Sequence, residues 1–520
     1  MLKQLTLISM AVLGLSACGG GSSETPITPV TPPPPPPTQP TSEFAAVAEA
    51  ARAELQSNQS AAVSVAVYKD GEVVYAEAFG NNQWQNGDPV NANTLFQLGS
   101  TTKMFTSLAT MQLVEQGIVT TEDTLTSTLP DIRYLAEQSQ SWNDVNIHHL
   151  MTHQNGFLDD YQAMSDNSEL MRYMQQQYGN ANPKMVAPGK FFNYNNPGFS
   201  YLGAILEHVE AQDFRDVMAQ SVFEPLGMSR TTMHQSDVGN DGNFALGVYS
   251  NEDGTPVGYT SLHQVQDWLP IIPAGIYTWS TPTELLQMAD FLINGNNDVL
   301  ADEYRTEITK AQVSMEQAGL PLNYGYGIFI DEGFAYNNRW YPMTVWQHGG
   351  NTEGYTSMFW VLPEENIAVS IMSSGYSDYY IETMVAALQS VMELPTPQAM
   401  PYGEIDTDNF DRHVGTYNTG AVTIEVSNKD GVLHVNVPEM NAQNVPYSPT
   451  LQAIGGNTFL ATADGDITDL TFFADEVDGD SNYIRNRNYV AIRVGSETSE
   501  RPAAAKQLRT TSATSKIILD

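Results

Sequence analysis

Strand patterns stand at both ends of the stretch from residue 44 to residue 395, and helical patterns lie between them. Residues 62–68 and 72–79 are apolar runs joined by Asp70-Gly71, a dipeptide that favours a tight hairpin turn. Further strand patterns follow near the other end of the stretch, at residues 344–347, 357–362 and 367–372. This order predicts an α+β unit whose antiparallel sheet is completed by strands from both ends of the stretch.

The middle of this unit is predicted to be helical. Residues 199–209 and 283–292 are helical in pattern, and a separate Ala-rich amphipathic helix is expected before the hairpin, beginning near Phe44. Gly117 stands where the first helix of the middle region is expected to end. The apolar residues that predict this helix recur at spacings of three and four: Met104, Leu108, Met111, Val114 and Ile118.

A second domain is predicted after the Pro-Thr-Pro sequence at residues 395–397. From residue 402 to residue 495 short alternating strands and turn signals follow one another without a helical period. This pattern predicts a small all-β barrel or sandwich. The first folded domain is therefore expected to span residues 43–395, and the polar tail at 496–520 is expected to be disordered.

The N-terminus reads as an export signal followed by a spacer. Residues 1–17 combine one lysine, a short apolar run and a small-residue end, as signal peptides do. Residues 15–18, Leu-Ser-Ala-Cys, resemble a bacterial lipobox, which implies lipidation of Cys18. Residues 18–42 are then a Pro-rich linker that cannot form a core. We expect an exported bacterial lipoprotein anchored to a membrane and facing the periplasm or the cell surface.

Charge and cysteine content exclude some functions. The formal net charge is −38, from 22 Lys and Arg against 60 Asp and Glu, and a field of this sign disfavours nucleic-acid binding. The charge is typical of a protein kept soluble in a salty setting. Cys18 is the single cysteine, so the chain has neither an internal disulfide nor a zinc–thiolate site.

One Ser-x-x-Lys sequence, at residues 100–103, begins the first helix of the middle region. Three positions on a helix place Ser100 and Lys103 on one face. A serine hydroxyl is a weak nucleophile until a base takes its proton, and a desolvated lysine can help with that transfer. The same four residues also fit an N-cap serine followed by a surface lysine, so the surrounding sequence has to decide.

Three motifs in chain order resemble those of the class C β-lactamase-related serine hydrolases. Residues 96–103, Phe-Gln-Leu-Gly-Ser-Thr-Thr-Lys, look like the nucleophile segment of that family. Tyr194-Asn195-Asn196 resembles its Tyr-x-Asn box, and His348-Gly349-Gly350, expected just before a strand, resembles its Lys-Thr-Gly or His-x-Gly box. The resemblance covers roughly residues 45–395, and supporting strings lie at residues 150–156, 273–277 and 324–327.

The resemblance implies a β-lactamase/transpeptidase-like domain, an antiparallel sheet with a helical subdomain, followed by a lipocalin-like β-domain. It also implies that Ser100 attacks a carbonyl carbon while Tyr194, Lys103 or both accept its proton. His348 is expected to orient the leaving side of the substrate or to tune Tyr194. No metal and no organic cofactor are implied.

Binding roles also follow from the resemblance. Asn196 is expected to hold the substrate amide, and Gly350 is expected to line the substrate and oxyanion site together with Asn351. The backbone N–H groups of Ser100 and of Asn351, which follows Gly350, are expected to form the oxyanion hole. Water then cleaves the acyl-enzyme. The partner is thus a small-molecule or peptide substrate, and the oligomeric state stays open.

One departure from the family pattern bears on the substrate. Where many β-lactamases and penicillin-binding enzymes have a Thr or Ser that helps hold a carboxylate, this chain has Gly349, which carries no hydroxyl. The leading hypothesis is therefore hydrolysis of an ester or a peptide, including one with a D-amino acid. The alternatives are a β-lactamase or D-Ala-D-Ala carboxypeptidase, and a lipid-anchored binding protein with a degenerate hydrolase fold.

Other short patterns are set aside. His148, His149 and His153 have near-helical spacing that could suit a metal, but they fall in a string that the family uses structurally. Asp464, Asp466 and Asp469 do not have the spacing of a calcium loop. Tyr-x-Asn also occurs at residues 178–180 and 336–338, and His-x-Gly at 413–415, without the flanking sequence or chain order of the chosen motifs.

Overall fold

The computed structural model of the chain describes most of the stretch between residues 42 and 496. The described residues are 42–129, 144–157, 159, 186–251, 254–265, 275, 277–375, 379–420, 422–463, 466–486 and 489–496. The predicted signal peptide, Cys18, almost all of the linker and the tail after residue 496 lie outside the described residues, as do Asp464 and most of residues 273–277.

Strands occupy both ends of the first domain and the whole of the second. In chain order they are β1 (Ala62–Lys69), β2 (Glu72–Gln83), β3 (Asn86–Pro89), β4 (Phe96–Gln97), β5 (Val248–Ser250), β6 (Pro256–Gly258), β7 (Trp279–Ser280), β8 (Val313–Ser314), β9 (Leu322–Tyr324), β10 (Phe329–Tyr336), β11 (Arg339–Thr352), β12 (Tyr355–Leu362), β13 (Ile367–Ser373), β14 (Gly415–Asn418), β15 (Thr423–Lys429), β16 (Val432–Asn436), β17 (Gln452–Gly455), β18 (Thr458–Ala463), β19 (Asp466–Ala474), β20 (Ser481–Asn486) and β21 (Tyr489–Arg493).

Helices lie mainly between β3 and β13. They are α1 (Ala45–Ser57), α2 (Thr102–Glu115), α3 (Leu125–Thr128), α4 (Ile147–Met151), α5 (Asn196–Glu210), α6 (Phe214–Met218), α7 (Gln235–Asp241), α8 (Pro282–Asn294), α9 (Asp302–Ile308), α10 (Ile381–Val391) and α11 (Pro438–Gln443). A 3₁₀ turn at Gly99–Thr101 leads directly into α2, and another at Thr407–His413 precedes β14.

The main sheet joins the two ends of the first domain, as the order of patterns predicts. Its strand order is β3-β2-β1-β13-β12-β11-β10-β9-β8, and its neighbours pair antiparallel. The central pairing is between β1 and β13, where Val63 lies opposite Ser373. The strand patterns at the two ends of the stretch are therefore parts of one sheet.

Both faces of this sheet are covered. In β1, Val63, Val65 and Val67 pack into one apolar cluster with α1 and α10. The alternate residues Ala66 and Tyr68 face a second cluster, which includes the helical middle of the domain. Successive side chains of a strand point to opposite faces, so a strand covered on both sides reads as a continuous apolar run.

Helix α2 crosses the helical middle and is buried from Thr102 to Leu113. Several of the buried polar side chains of this helix have hydrogen-bond partners: Thr102 Oγ1 donates to Thr278 Oγ1 at 3.0 Å, and Thr110 Oγ1 donates to the carbonyl of Thr106 at 2.8 Å. The helix ends at Glu115, so Gly117, with φ +68°, lies just beyond it, and Ile118 is 49% exposed rather than part of the apolar face.

The second domain is a nearly closed antiparallel barrel. Its strand order is β16-β15-β14-β21-β20-β19-β18-β17. Hydrogen bonds from Val435 N to Pro449 O and from Leu451 N to Leu433 O bring the two outer strands together. The α+β class with a C-terminal all-β barrel is thus confirmed. The helical pieces α11 and Thr407–His413, which the sequence pattern does not predict, are short additions to it.

The expected position of the third motif is wrong in one respect. His348, Gly349 and Gly350 lie inside β11, not before a strand. This strand is much longer than the predicted residues 344–347, because its polar second half pairs residue by residue with β12 from Trp346 to Thr352. Pairing with a neighbour makes a strand of residues that show no strand pattern of their own.

Among the described residues, none of the helices has both the length and the apolar character that a bilayer crossing requires.

Candidate active site

The segment that carries Ser100 is fixed on both sides before α2 begins. Strand β4 pairs with β7, and the N–H of Leu98 donates to the carbonyl of Thr278 at 2.8 Å. The carbonyl of Leu98 accepts a hydrogen bond of 2.6 Å from Ser357 Oγ in β12. Ser100 therefore stands in a 3₁₀ turn that the sheet and the helical middle hold in place.

Two glycines let this turn approach β11 closely. A Cβ on Gly350 would lie 1.8 Å from the carbonyl oxygen of Leu98 and 2.7 Å from the N of Ser100. A Cβ on Gly99, whose φ is +56°, would lie 2.5 Å from the N of Asn351. Neither distance leaves room for a side chain, so glycine is required at both positions.

The same approach brings two backbone N–H groups together. The two-residue turn between Thr352 and Tyr355 sets the register of β11 and β12, in which Asn351 lies opposite Thr356. Along two antiparallel strands, hydrogen-bonded residue pairs alternate with pairs that are not hydrogen-bonded to each other. Thr352 and Tyr355 form a pair of the first kind, and Asn351 and Thr356 form a pair of the second kind. The N–H of Asn351 therefore points away from β12, on the side of Gly99 and Ser100. The N–H groups of Ser100 and Asn351 are thus suited to bind one oxyanion.

Lys103 lies under Ser100 and is fully buried. Its Nζ is 3.0 Å from Ser100 Oγ, 2.7 Å from Asn196 Oδ1 and 3.0 Å from the carbonyl oxygen of Gly275. The same nitrogen lies 4.8 Å from the centre of the Tyr194 ring. The structure therefore brings together four predicted site residues, Ser100, Lys103, Tyr194 and Asn196.

The Tyr-x-Asn motif precedes α5, and its middle residue caps that helix. Asn195 Oδ1 accepts from the N–H of Gly198 at 2.9 Å, and Pro197 stands at the start of the helix. Asn195 Nδ2 also donates to Asn155 Oδ1 at 3.0 Å. The N–H of Asn196 donates to Asp159 at 2.8 Å. These bonds fix the backbone on the C-terminal side of Tyr194.

Aromatic rings surround Tyr194. Its ring centre is 4.3 Å from that of His153, 6.2 Å from Phe329 and 6.3 Å from His348. His153 is buried, and its Nδ1 accepts from the N–H of Asn195 at 3.2 Å. The phenol therefore lies in a largely apolar wall that also contains the two histidines.

His348 is buried, and protein groups bond both of its ring nitrogens. Nδ1 lies 2.6 Å from the carbonyl oxygen of Gly349, which can only accept, so Nδ1 carries the proton. Nε2 then accepts from the hydroxyl of Tyr324 at 3.3 Å. Burial, together with the positive charge of Lys103, lowers the pKa of His348 to about 3, so its imidazole is neutral at neutral pH.

Tyr324 is a site residue to which sequence reasoning gave no role. It is buried, and burial with the neighbouring Tyr194 raises its pKa well above the ordinary value for tyrosine. A phenol that stays protonated is the donor that neutral His348 needs at Nε2. The residue lies in the string at 324–327 that supports the family resemblance, but only the fold shows its contact with His348. This arrangement favours a supporting role for His348 over direct contact with the leaving group.

The structure has space for a side chain at residue 349 but none at residue 350. A Cβ at residue 349 would meet only the carbonyl oxygen of Ser357, at 3.6 Å, which is an ordinary contact. The missing hydroxyl at this place in the third motif is therefore not a result of crowding.

The three histidines considered as metal ligands have other partners. His148 Nδ1 pairs with the hydroxyl of Tyr326 at 3.0 Å, and His149 Nδ1 accepts from the N–H of Asn146 at 3.3 Å. Within the described ranges, no group of three or more His, Asp or Glu is arranged to hold a metal ion. His413, from the rejected His-x-Gly sequence, lies in the barrel core and pairs with Ser481.

Comparison with known proteins agrees with this arrangement. The family model described as Beta-lactamase matches residues 47–384. The penicillin-binding protein 4* of Bacillus subtilis is 24% identical over 375 residues, which make up 68% of this chain and 78% of that protein.

Several solved structures are also similar to this chain in fold. SurE, solved alone and with D-Leu, superposes with TM-scores of 0.66 and 0.65 at 19% identity, covering 87% of this chain and 99% of SurE. EstCE1, described as a hydrolase with promiscuous acyltransferase activity, superposes with a TM-score of 0.55 at 20% identity, covering 66% of this chain and 99% of EstCE1.

The match to the family model extends over more than half of the sequence and contains each of the three motifs. The fold of the chain, in which both ends of the first domain contribute strands to one sheet, is the fold that the resemblance predicts. By sequence and by fold, the chain belongs to the β-lactamase family of serine hydrolases, whose members also include penicillin-binding proteins and esterases.

Proposed function

We propose that the protein is a serine hydrolase that forms an acyl-enzyme on Ser100 and hydrolyses an ester or an amide bond. The observation that carries this proposal is the 3.0 Å contact between Lys103 Nζ, which is fully buried, and Ser100 Oγ. A buried amine is costly unless it is bonded, and here it bonds the hydroxyl that would react.

Proton transfer from Ser100 involves Lys103 and Tyr194 together. Lys103 Nζ lies 4.8 Å from the centre of the Tyr194 ring, so the charge of the amine acts directly on the phenol. As Ser100 Oγ attacks the carbonyl carbon, its proton passes to this pair. The pair then returns the proton to the leaving group when the bond to the carbonyl carbon breaks.

Charge on the substrate oxygen develops beside the N–H groups of Ser100 and Asn351. Both groups lie where the turn and β11 approach each other closely, so they are in position before the substrate binds. Asn196 faces Lys103 through Oδ1, which leaves its Nδ2 to donate to a substrate carbonyl. Neutral His348 keeps a second positive charge away from Lys103.

The substrate class follows from Gly349. Without a hydroxyl at this position the site lacks one donor for a carboxylate next to the scissile bond. Esters and peptides, including those with a D-amino acid, do not depend on that donor. The solved complex of SurE with D-Leu and the acyltransferase activity stated for EstCE1 are in keeping with these substrates.

Burst kinetics with detection of intact mass test the proposal. The substrates are a p-nitrophenyl ester, a D-amino-acid p-nitroanilide and a chromogenic cephalosporin. We expect turnover of the ester or the anilide and an acyl adduct on the wild type, both absent in Ser100→Ala. The matched control is Ser107→Ala, the same change at a buried position of α2, the helix that follows the turn of Ser100.

The outcomes separate the hypotheses. Preference for the cephalosporin would favour a β-lactamase or D-Ala-D-Ala carboxypeptidase. Absence of any adduct would favour a binding protein with a degenerate fold. Turnover that survives Ser100→Ala would contradict the assignment of the nucleophile.

A second variant tests the role of Gly349. Because a Cβ fits there, Gly349→Thr is expected to fold and to raise acylation by the cephalosporin relative to acylation by the ester. An unchanged ratio of the two acylation rates would show that this position does not set the substrate class.

We also propose that the protein is anchored to a membrane through a lipid on Cys18, as the lipobox-like sequence at residues 15–18 suggests. Metabolic labelling with a palmitate analogue is expected to mark the wild type and not Cys18→Ser. Equal labelling of both would refute this anchor.

A further inference from the structure

The chain that leads to Tyr194 lies against the barrel. The Phe191 ring stacks on Phe473 of β19 with centres 4.5 Å apart, and it meets Tyr483 of β20 edge-on at 5.6 Å. Lys190 Nζ pairs with Asp475 at 2.5 Å, although this pair is partly exposed and therefore weak. The barrel thus touches the first domain a few residues before a candidate catalytic residue.

Arg485 of β20 is the polar part of this contact. Its side chain is 7% exposed, and its Nη1 donates to the carbonyl of Phe192 at 2.6 Å and to the carbonyl of Met315 at 3.2 Å. Its Nη2 donates to Thr471 inside the barrel at 3.2 Å, and its guanidinium lies 5.0 Å from the ring centre of Phe473. One buried side chain therefore ties two loops of the first domain to the barrel.

The charge of Arg485 persists although it is buried. Burial lowers its pKa to about 10, against the opposing effect of the carboxylates of Asp469 and Glu316. That value is well above neutral pH, so the guanidinium remains a cation. A buried cation is tolerated only where acceptors surround it, and here backbone carbonyls of the first domain supply two of them.

Phe192 connects Arg485 with the site. Its carbonyl is held by Arg485, and its ring lies 5.3 Å from Tyr324 and 5.6 Å from His153. These two residues bond His348 and the N–H of Asn195, respectively. A shift of Phe192 would therefore act on the surroundings of Tyr194 through His153, which contacts its ring, and through Tyr324, which bonds His348.

The first domain binds the backbone just after Phe192. The N–H of Asn193 donates to the carbonyl of His153 at 2.9 Å, and Asn193 Nδ2 donates to the carbonyl of Phe157 at 3.2 Å. On residues 190 and 191, and on the carbonyl of Phe192, the contacts described above come from the barrel, whereas the ring of Phe192 packs in the first domain. Tyr194 is thus placed by two attachments, one from each domain.

We propose that Arg485 is a positioning residue: by binding the carbonyl of Phe192, the barrel holds Tyr194 in place for proton transfer with Ser100 and Lys103. This inference rests on the proposed acylation of Ser100. It gives the barrel a part in the chemistry without any barrel side chain touching the substrate.

The test compares Arg485→Met, which keeps most of the side-chain length and removes the donors, with Arg493→Met. Arg493 is a matched control because it also binds two carbonyls, of Arg412 and Val414, but within the barrel itself. Arg485→Lys adds a rescue arm, since a lysine can still donate to one carbonyl. All variants are made in the full chain.

The readout is a p-nitrophenyl ester burst, in which the amplitude counts reactive serines and the rate constant reports acylation per serine. We expect Arg485→Met to retain most of the amplitude, to lower the rate constant at least about tenfold and to move the inflection of its pH dependence. Arg485→Lys should recover part of the rate, and Arg493→Met should keep the wild-type rate constant and inflection.

Hydrogen exchange provides a measurement that does not need turnover. Peptides that span residues 186–196 should exchange faster in Arg485→Met and not in Arg493→Met. An unchanged rate constant and inflection per reactive serine in Arg485→Met would overturn the proposal, as would equal losses in both Met variants. Absence of a burst in the wild type itself would instead reject the proposed acyl-enzyme, and the positioning role with it.

Discussion

Gly349 and Gly350 are neighbours in β11, yet a side chain at each would meet different surroundings. A Cβ on Gly350 would overlap the backbone of Leu98 and Ser100, which cannot rotate aside as a flexible side chain does. A Cβ on Gly349 would make one ordinary contact. Substitutions at the two positions therefore distinguish the effect of breaking a close backbone contact from the general effect of replacing a glycine in a strand.

Gly350→Ala is predicted to lower the free energy of unfolding by about 2–3 kcal/mol, because the added methyl group forces β11 away from the turn that carries Ser100. The burst of an ester substrate should disappear with it. Gly349→Ala is expected to stay within about 1 kcal/mol of the wild type. Thermal unfolding measures both variants, and equal destabilisation would contradict the close approach.

Asp331 in β10 is a buried carboxyl group with one neutral donor, Gln347 Nε2, at 3.0 Å. Burial raises its pKa from 3.8 to about 7. The folded state thus binds a proton more tightly than the unfolded state between these values. Stability from this group is present at pH 4 and is lost as the pH rises towards 7.

Asp331→Asn is therefore predicted to become more stable relative to the wild type as the pH rises from 5 to 8. About two pKa units of the shift fall between pH 5 and pH 7, which corresponds to about 3 kcal/mol at about 1.4 kcal/mol for each unit. Melting temperatures at the two pH values measure the effect. Glu332→Gln, which removes the exposed carboxylate next to it, is the control, and the idea fails if both variants respond alike.

At the scale of elements, the start of α5 links helix stability to the site. Asn195 caps the helix through the N–H of Gly198, and the residues on either side of it are Tyr194 and Asn196. Thr281 caps α8 in the same way, by accepting from the N–H of Glu284, but it stands between no such residues.

Thr281→Ala is predicted to lower the free energy of unfolding by about 1–2 kcal/mol, the usual cost of a lost cap, and Asn195→Ala by more, because Asn195 Nδ2 also bonds Asn155 Oδ1. Only Asn195→Ala should also slow acylation per reactive serine, because its loss frees the backbone around Tyr194. Denaturant unfolding and burst kinetics measure the two effects. Slower acylation in Thr281→Ala as well would point to a general loss of stability instead.

Elements with a clear period were predictable from the sequence, and elements made by pairing were not. The alternating and apolar residues of β1 and β2 predict a hairpin close to the observed one. The short strands β8 and β9 carry too few residues to show a period, and the second half of β11 is polar. These strands exist because neighbouring strands supply their hydrogen bonds.

In the candidate active site, too, some contacts could be predicted from the sequence and others could not. Ser100 and Lys103 could be predicted to meet because helix geometry relates them, and a family resemblance brings in Tyr194. The contact of Tyr324 with His348 and that of Arg485 with Phe192 join residues that no local pattern relates. Such contacts follow from the tertiary fold, so a single sequence does not show them.

For the whole molecule, the net charge of −38 predicts a response to salt. Repulsion among carboxylates disfavours the compact state, and 1 M salt shortens the screening length to about 3 Å from about 10 Å at 0.1 M. The melting temperature is predicted to rise when NaCl is increased from 0.1 M to 1 M. An uncharged osmolyte at equal osmolality is the control. A constant or falling melting temperature would show that acidic groups do not limit stability.

The pairing of β1 with β13 also limits how early in synthesis the first domain can fold. Val63 meets Ser373 only after the intervening chain, roughly 300 residues, has left the ribosome, which at about 5–20 residues per second takes on the order of tens of seconds. During that interval the apolar residues of β1 have no permanent neighbour on one edge. The sheet of the first domain therefore cannot be completed until its last strand is available, and we expect this domain to fold late and as one unit.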